Sequence, residues 1–290
     1  MTLLALALLV AAAFMHATWN LLAKRVGGGP PFVWLFATCS TLIYAPLVLL
    51  VLLVQQPELG PSQFLFMGGS AVLHLSYFLT LQQGYRVGDL SLVYPLARGT
   101  GPTLATIGAI VILGEHPGPV ALAGAALVVV SVFLITSGFA ALRRGSAAAR
   151  PAIALGLVTG CFIASYSLWD KHAVSALAVP PLLLDWSTSL FRAIVLSPVA
   201  RRRWCEVRGI WRAHRWETLG VGVLSTLAYL LVLFALSFTP VSRIAPAREM
   251  SILVGTFFGT RLLREGRGQV RRRLAAASLM VAGVIALALG

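Results

Sequence analysis

Acidic side chains are scarce in this chain: nine Asp and Glu stand against 23 Lys and Arg, and the four charged types make up only 11% of 290 residues. A water-soluble globular chain carries about 25% charged residues. So little charge cannot cover a water-facing surface, which excludes an ordinary soluble domain. Cysteine is nearly absent too. Cys39, Cys161 and Cys205 show no metal-ligand spacing and imply no disulfide framework. Cys39 and Cys161 fall inside apolar runs and read as small buried residues. There is no Ser-His-Asp order, no phosphate-cradling glycine loop and no metal-spaced His/Cys cluster. An enzyme is therefore not expected, and neither is a cofactor. No basic segment precedes the apolar N-terminal run. Lys24 and Arg25 follow it, so the run reads as a retained first span and not as a cleaved leader.

What the chain has in abundance is apolar sequence, 58% of residues, with a mean hydropathy of +0.88. The runs Met1–Ala23, Val26–Pro57, Leu59–Tyr85, Pro117–Leu142 and Thr218–Ser242 carry no charge. Each exceeds the ~20 residues that cross hydrocarbon as a helix. An all-α membrane protein is expected, with ten transmembrane helices near 2–23, 32–54, 62–85, 90–113, 117–140, 151–171, 181–200, 217–238, 242–263 and 270–289. Spans four, seven and nine are interrupted by charge. They carry Arg98, then Asp185 and Arg192, then Arg248 and Glu249.

The net charge of +14 would suggest nucleic acid in a soluble protein. Here the basic residues lie in short connectors, so the partner is the lipid bilayer and no nucleic acid is expected. The connector RRRWCEVRGIWRAHRWE interleaves arginine and tryptophan, as suits the headgroup level. Taking alternate connectors, 18 basic residues fall on one side and two, Lys171 and Arg243, on the other. The remaining three, Arg98, Arg192 and Arg248, lie within spans. Cytoplasmic loops hold the excess of Lys and Arg, which predicts a multi-pass protein of the cytoplasmic membrane with both termini outside the cytoplasm.

The chain also repeats itself. Ser91–Glu115 returns as Ser242–Glu265: each copy reads Ser-x-x-x-Pro, then an arginine, then a mostly apolar run ending Leu-x-Glu. Arg98 and Glu115 match Arg248 and Glu265, 150 positions on, while Pro95 and Pro246 sit one place out of step. Ala17–Asn20 with Lys24 lies over Ala164–Ser167 with Lys171, Pro30-Pro31 over Pro180-Pro181, and Tyr77 near Tyr229. The shared order of these matches divides the chain into repeats 1–142 and 151–290, with the connector 143–150 between them. Five spans per repeat is an odd number. The second repeat must enter from the opposite side, so two inverted five-helix repeats are expected.

The segments HATWNLLAK (16–24), GDLSLVYPLARGTGP (88–102) and ILGEHPGPVALAGAALVVVSVFLIT (112–136) resemble the EamA-type members of the drug/metabolite transporter superfamily. The likeness covers the chain as two repeats and is clearer in the first. In the second, the Arg264–Arg267 turn departs from the usual polar turn. The resemblance implies ten helices in two inverted repeats, a central cavity, and transport of small metabolites, often outward. Many relatives place both termini in the cytoplasm, opposite to what the arginine distribution predicts here.

Candidate site residues are the polar groups that a bilayer disfavours. Arg98 lies roughly 12 Å into its span at 1.5 Å per residue, where an arginine costs about 2.5–3.5 kcal/mol. It either pairs with a neighbouring helix or faces a water-filled cavity, next to Gly99, Gly101 and Pro102, which weaken the helix. Arg248 holds the equivalent place in the second copy. Two arginines converging on one cavity would favour an anionic or zwitterionic substrate. Glu249 is a candidate for ion pairing across helices or for binding a coupling proton. Asp185 and Arg192, seven apart on one helix face, form a local ion pair or a gate. Trp19, Asn20, Tyr77, Tyr94, His74 and Gln82, with His16 and Gln83, are interhelical hydrogen bonders or line the cavity. Glu115 and Glu265 read as helix-end residues. The expected function is a secondary active transporter, an exporter, of a small metabolite by alternating access. The alternative is a non-transporting membrane subunit or a lipid-flippase-like partner in an envelope complex. Protons and a second copy of the chain are further candidate partners.

Overall fold

The computed structural model describes residues 1–27, 29–87, 90–135, 150–262 and 270–290. Glu265, the Arg264–Arg267 turn and most of the connector 143–150 lie outside the described residues.

Among the described residues the chain forms eleven α-helices and no strand: α1 (Leu3–Val26), α2 (Pro30–Gln55), α3 (Pro61–Val87), α4 (Leu90–Ile112), α5 (Pro119–Ile135), α6 (Arg150–Ser175), α7 (Pro181–Arg202), α8 (Trp204–Phe238), α9 (Val241–Ala247), α10 (Met250–Leu262) and α11 (Val270–Leu289). Local chemistry sets several boundaries. The Thr2 hydroxyl accepts from the Ala5 amide at 3.2 Å and starts α1, and Gly27, at φ 85°, ends it. Proline opens α2, α3, α5 and α7, where its missing N–H has no intrahelical partner to lose. Six helices, α1–α3 and α6–α8, are long and apolar enough to cross a membrane, and two shorter apolar stretches lie at Pro119–Leu134 and Leu274–Leu289. Large apolar side chains such as Leu42, Leu50, Leu53, Phe64 and Ile112 point outward. That is the surface hydrocarbon tolerates and water does not.

α4 packs along α6, α3 along α6, α1 along α8 and α10, α2 along α7 and α8, α3 along α7, and α5 along α11. Small residues allow the closest approaches. A Cβ added to Gly160 on α6 would lie 2.7 Å from Thr100 Cβ and 3.1 Å from the Gly101 amide of α4. Without hydrophobic drive between helices in lipid, such van der Waals fit is what holds them together.

Two expectations need correction. Span four is not interrupted: α4 runs unbroken past Pro95, Arg98 and Pro102. Its glycines serve packing, since Phe133 and Ile163 occupy the space that side chains at Gly99 and Gly101 would need. Span seven is likewise continuous through Asp185 and Arg192. The arginine- and tryptophan-rich connector is helical. α8 begins at Trp204 and is kinked at His214, where φ is −136° and ψ 34°. Val207 and Ile210, three apart, pack its first turns against Leu35 and Ala200. Span nine does break. α9 ends at Ala247 and α10 starts at Met250, leaving Arg248 and Glu249 at the junction.

Helix ends cap one another at the end of the bundle that holds both termini. The Glu115 carboxylate accepts from the backbone amides of Val241 (2.7 Å) and Ser242 (2.9 Å) at the start of α9. Lys171 Nζ donates to the carbonyls of Leu236 (2.7 Å) and Thr239 (3.2 Å) at the end of α8. The Met1 ammonium donates to the Ala288 carbonyl at 2.7 Å, and Arg243 donates to the Gly290 carbonyl. Cations thus meet carbonyls and an anion meets amides, the sign each helix end favours. Lys171 and Arg243, the two basic residues counted on this side, are both held by backbone.

Candidate functional site

The break between α9 and α10 places two charges side by side in the interior. Glu249 turns to α4, where its Oε2 lies 2.8 Å from Arg98 Nε. Both side chains are buried, and the two atoms are close without being aligned for a hydrogen bond. Arg98 Nη2 also donates to Ser251 Oγ at 3.3 Å. One ion pair therefore ties α4 to the α9–α10 junction and compensates the cost of burying a guanidinium in a span.

Arg248 behaves differently. Its guanidinium carbon sits 5.3 Å from the ring centre of Tyr229 and 5.8 Å from that of Tyr166. Among the described residues its side chain makes no ion pair, and the two ring faces supply the compensating electron density. Arg98 and Arg248 both line one small cavity with His16, Tyr229 and Ser251, walled by Leu9, Ala12, Ala13, Ala228 and Val232. Its volume is about 30 Å³, the share of a single water molecule.

The other candidates spread around this centre. His16 is in the cavity wall, with Trp19 edge-on to it at 4.9 Å. Trp19 Nε1 is buried without a hydrogen-bond partner. Tyr77 meets Tyr166 edge-on at 5.7 Å. Tyr94 packs on Val132, Ile252 and Met280 beside the site. Asn20 is exposed and its amide donates to the His16 carbonyl at 2.7 Å. Gln82 and Gln83 are exposed on α3 and line a second cavity, about 420 Å³, with Arg86, Thr80, Phe78 and Pro30. The structure does not bring Asn20 or Gln82 to the central cavity. Asp185 is buried with Oδ2 unpartnered, near Arg192, whose guanidinium lies 6.0 Å over Phe36.

A further polar cluster was not anticipated from sequence. Asp170 on α6 has a fully buried side chain. Its Oδ2 accepts from Tyr229 Oη at 2.5 Å and lies 3.0 Å from His74 Nε2. The His74 ring stacks on Tyr166 at 4.1 Å. His74 therefore belongs with Asp170, and through Tyr166 and Tyr229 this cluster touches Arg248. In the sequence Asp170 adjoins Lys171 at the end of an apolar run and resembles a headgroup-level charge. The sequence signal it leaves is Trp169-Asp170-Lys171-His172 continuing the helix to Ser175.

No curated protein matches the sequence. A solved structure described only as the crystal structure of a protein superposes with a TM-score of 0.72 over 98% of this chain and 98% of that chain, at 14% identity. At that identity the likeness is one of fold. Residues 3–137, just under half of the chain, match the family model of the EamA-like transporters, so that segment is similar to this family.

Proposed function

We propose that the chain is a secondary active transporter that moves a small metabolite with an anionic or zwitterionic group outward by alternating access. It has ten spans in two inverted repeats, residues 1–142 and 151–290, with α9 and α10 together as the counterpart of α4. The packing pairs support this. Exchanging the halves turns α4 on α6 into α10 on α1, α3 on α6 into α8 on α1, and α3 on α7 into α8 on α2. The pairs α2 with α7 and α5 with α11 map onto themselves. Such a relation is what a pseudo-two-fold axis in the membrane plane requires.

The observation that carries the transport reading is Arg248: a guanidinium lining an interior cavity, seated on aromatic rings, with no carboxylate paired to it among the described residues. A scaffold has no use for such a charge and would pair both arginines or replace them. A carrier needs one cation left for its substrate. A cavity of about 30 Å³ admits no metabolite, so the halves must part for binding. Arg98, held by Glu249, closes the centre, and Arg248 is the group that receives the substrate anion.

The test is counterflow by the purified full chain in proteoliposomes, screened across amino acids, nucleosides and organic acids. At least one carboxylate-bearing compound is expected to exchange, with Arg248→Gln reducing its flux about tenfold or more, the worth of one charge-assisted contact. No exchange by any compound, or full flux in Arg248→Gln, overturns the reading. The same protein is expected to place both termini outside the cytoplasm. A reporter active only in the cytoplasm, fused to either terminus, then stays dark, and a bright reporter reverses the topology.

A further inference from the structure

We propose that His74 and Asp170 form a proton-binding dyad that is linked to Arg248 through Tyr229, so that proton uptake and anion binding favour each other. This rests on the transport reading above and names its coupling ion.

The geometry points to a site. Asp170 Oδ2 gathers two donors, His74 Nε2 at 3.0 Å and Tyr229 Oη at 2.5 Å. Asp170 Oδ1 is buried and has no hydrogen-bond partner. A carboxylate that leaves one oxygen unsatisfied in a low-dielectric interior is costly unless a proton or another cation compensates it. The His74 side chain is 12% exposed and that of Asp170 not at all. The imidazole is therefore the dyad's contact with its surroundings and the place where a proton arrives. Glu249, the carboxylate nearer the cavity, is already matched by Arg98.

Charge on the neighbouring elements decides what the proton does. Without it the dyad carries one negative charge, and Arg248 faces that charge across the Tyr229 ring. With it the imidazolium and carboxylate sum to zero, and the hold on Arg248 weakens. On α7, Asp185 lies within electrostatic reach of Asp170, with Arg192 beside it. On α6, Lys171 turns away to the carbonyls of Leu236 and Thr239, and His172 stacks on Phe66 at 4.9 Å. On α3, the Tyr77 ring adjoins Tyr166 and brings no charge of its own. Arg248 is thus the mobile partner of the dyad. Released, it pairs with the substrate anion, and by linkage the bound anion strengthens proton binding equally. One proton and one anionic group then cross together, so the carboxylate moves as its electrically neutral acid, outward when its own gradient exceeds the opposing proton gradient.

The experiment is nitrogen NMR of the full chain labelled at histidine, with carbon label at tyrosine, in lipid nanodiscs between pH 5 and 8. His74 is assigned by the loss of its signal in His74→Gln and Tyr229 by Tyr229→Phe. The expected result is that the His74 and Tyr229 signals change together over one pH interval in the native chain. In Asp170→Asn the Tyr229 response is expected to disappear while the signals of the other histidines stay as in the native chain. A Tyr229 signal that ignores pH in the native chain overturns the proposal, as does an unchanged Tyr229 response in Asp170→Asn. If Asp170→Asn does not fold, His74→Gln serves instead, and its Tyr229 signal must lose its pH response. Transport is scored separately. Counterflow with no pH dependence sinks the dyad and leaves the carrier standing. A linked His74–Tyr229 titration with no counterflow by any compound supports the dyad and removes the carrier reading.

Discussion

Arg98→Ala alone is expected to destabilise the protein by about 3–5 kcal/mol, because it strands a buried carboxylate. Glu249 is 2% exposed and its ion-pair partner is Arg98. Removing the arginine leaves a charge in the span with only Arg248 nearby, and Arg248 is engaged with Tyr166 and Tyr229. The single variant therefore mixes two effects, lost folding and lost function. Arg98→Met combined with Glu249→Leu separates them. Apolar replacement of both members of a buried pair is often neutral or stabilising, so thermal stability in detergent should return to near the native value. Counterflow should not return. The pair crosses from α4 to the α9–α10 junction, the two elements that part in the proposed cycle. An apolar seam has no such on–off character, and it lines the substrate's path with hydrocarbon. Native stability in Arg98→Ala would show that the pair is not formed in the membrane. Native flux in the double variant would remove both charges from the transport cycle.

Much of this was legible because a bilayer makes polar groups conspicuous. Arg98, Arg248 and Glu249 stand out in apolar runs, and Pro246 announces the break that the backbone makes two residues later. Glu115 reads as a helix-end residue and caps α9. Asp170 was hidden for the opposite reason: beside Lys171 it resembles the ordinary charged edge of a span. Its burial depends on α3 and α8 bringing His74 and Tyr229 across from positions 96 and 59 residues away. Nothing local encodes that meeting. Asn20 and Gln82 fail for a related reason, since a polar residue in an apolar run does not reveal whether it turns inward or outward. The helical start of α8 was readable in principle. Val207 and Ile210 share a face under the arginines, a spacing that the Arg-Trp composition masks.

Gly124→Val is expected to be the most damaging single substitution away from the site. α5 and α11 meet there backbone to backbone. A Cβ on Gly124 would lie 2.7 Å from the Gly283 carbonyl oxygen and 2.8 Å from the Leu287 amide nitrogen. The contact is reciprocal: a Cβ on Gly283 would lie 2.8 Å from the Gly124 carbonyl oxygen and 3.0 Å from the Val128 amide nitrogen. Side-chain neighbours could rotate away, but backbone atoms move only if the helices move. α11 packs chiefly on α5, so separating the two undoes most of what docks the last helix. Overpacking in a tight core costs about 1–3 kcal/mol, and a branched side chain against two backbones belongs at or above the upper end. The damage should reach the centre as well. Val132 of α5 and Met280 of α11 pack with Ile252 of α10, next to Ser251 and its bond to Arg98. Displacing them shifts the floor of the cavity, and flux should fall further than stability alone explains. Gly68→Ala on α3 is the control. A Cβ there meets nothing within 4 Å, and replacing a mid-helix glycine by alanine stabilises by about 0.5–1 kcal/mol. Thermal unfolding of both variants in detergent gives the comparison: a lowered midpoint for Gly124→Val beside an unchanged or raised one for Gly68→Ala. Equal midpoints would mean that α5 and α11 do not touch at these glycines in the membrane.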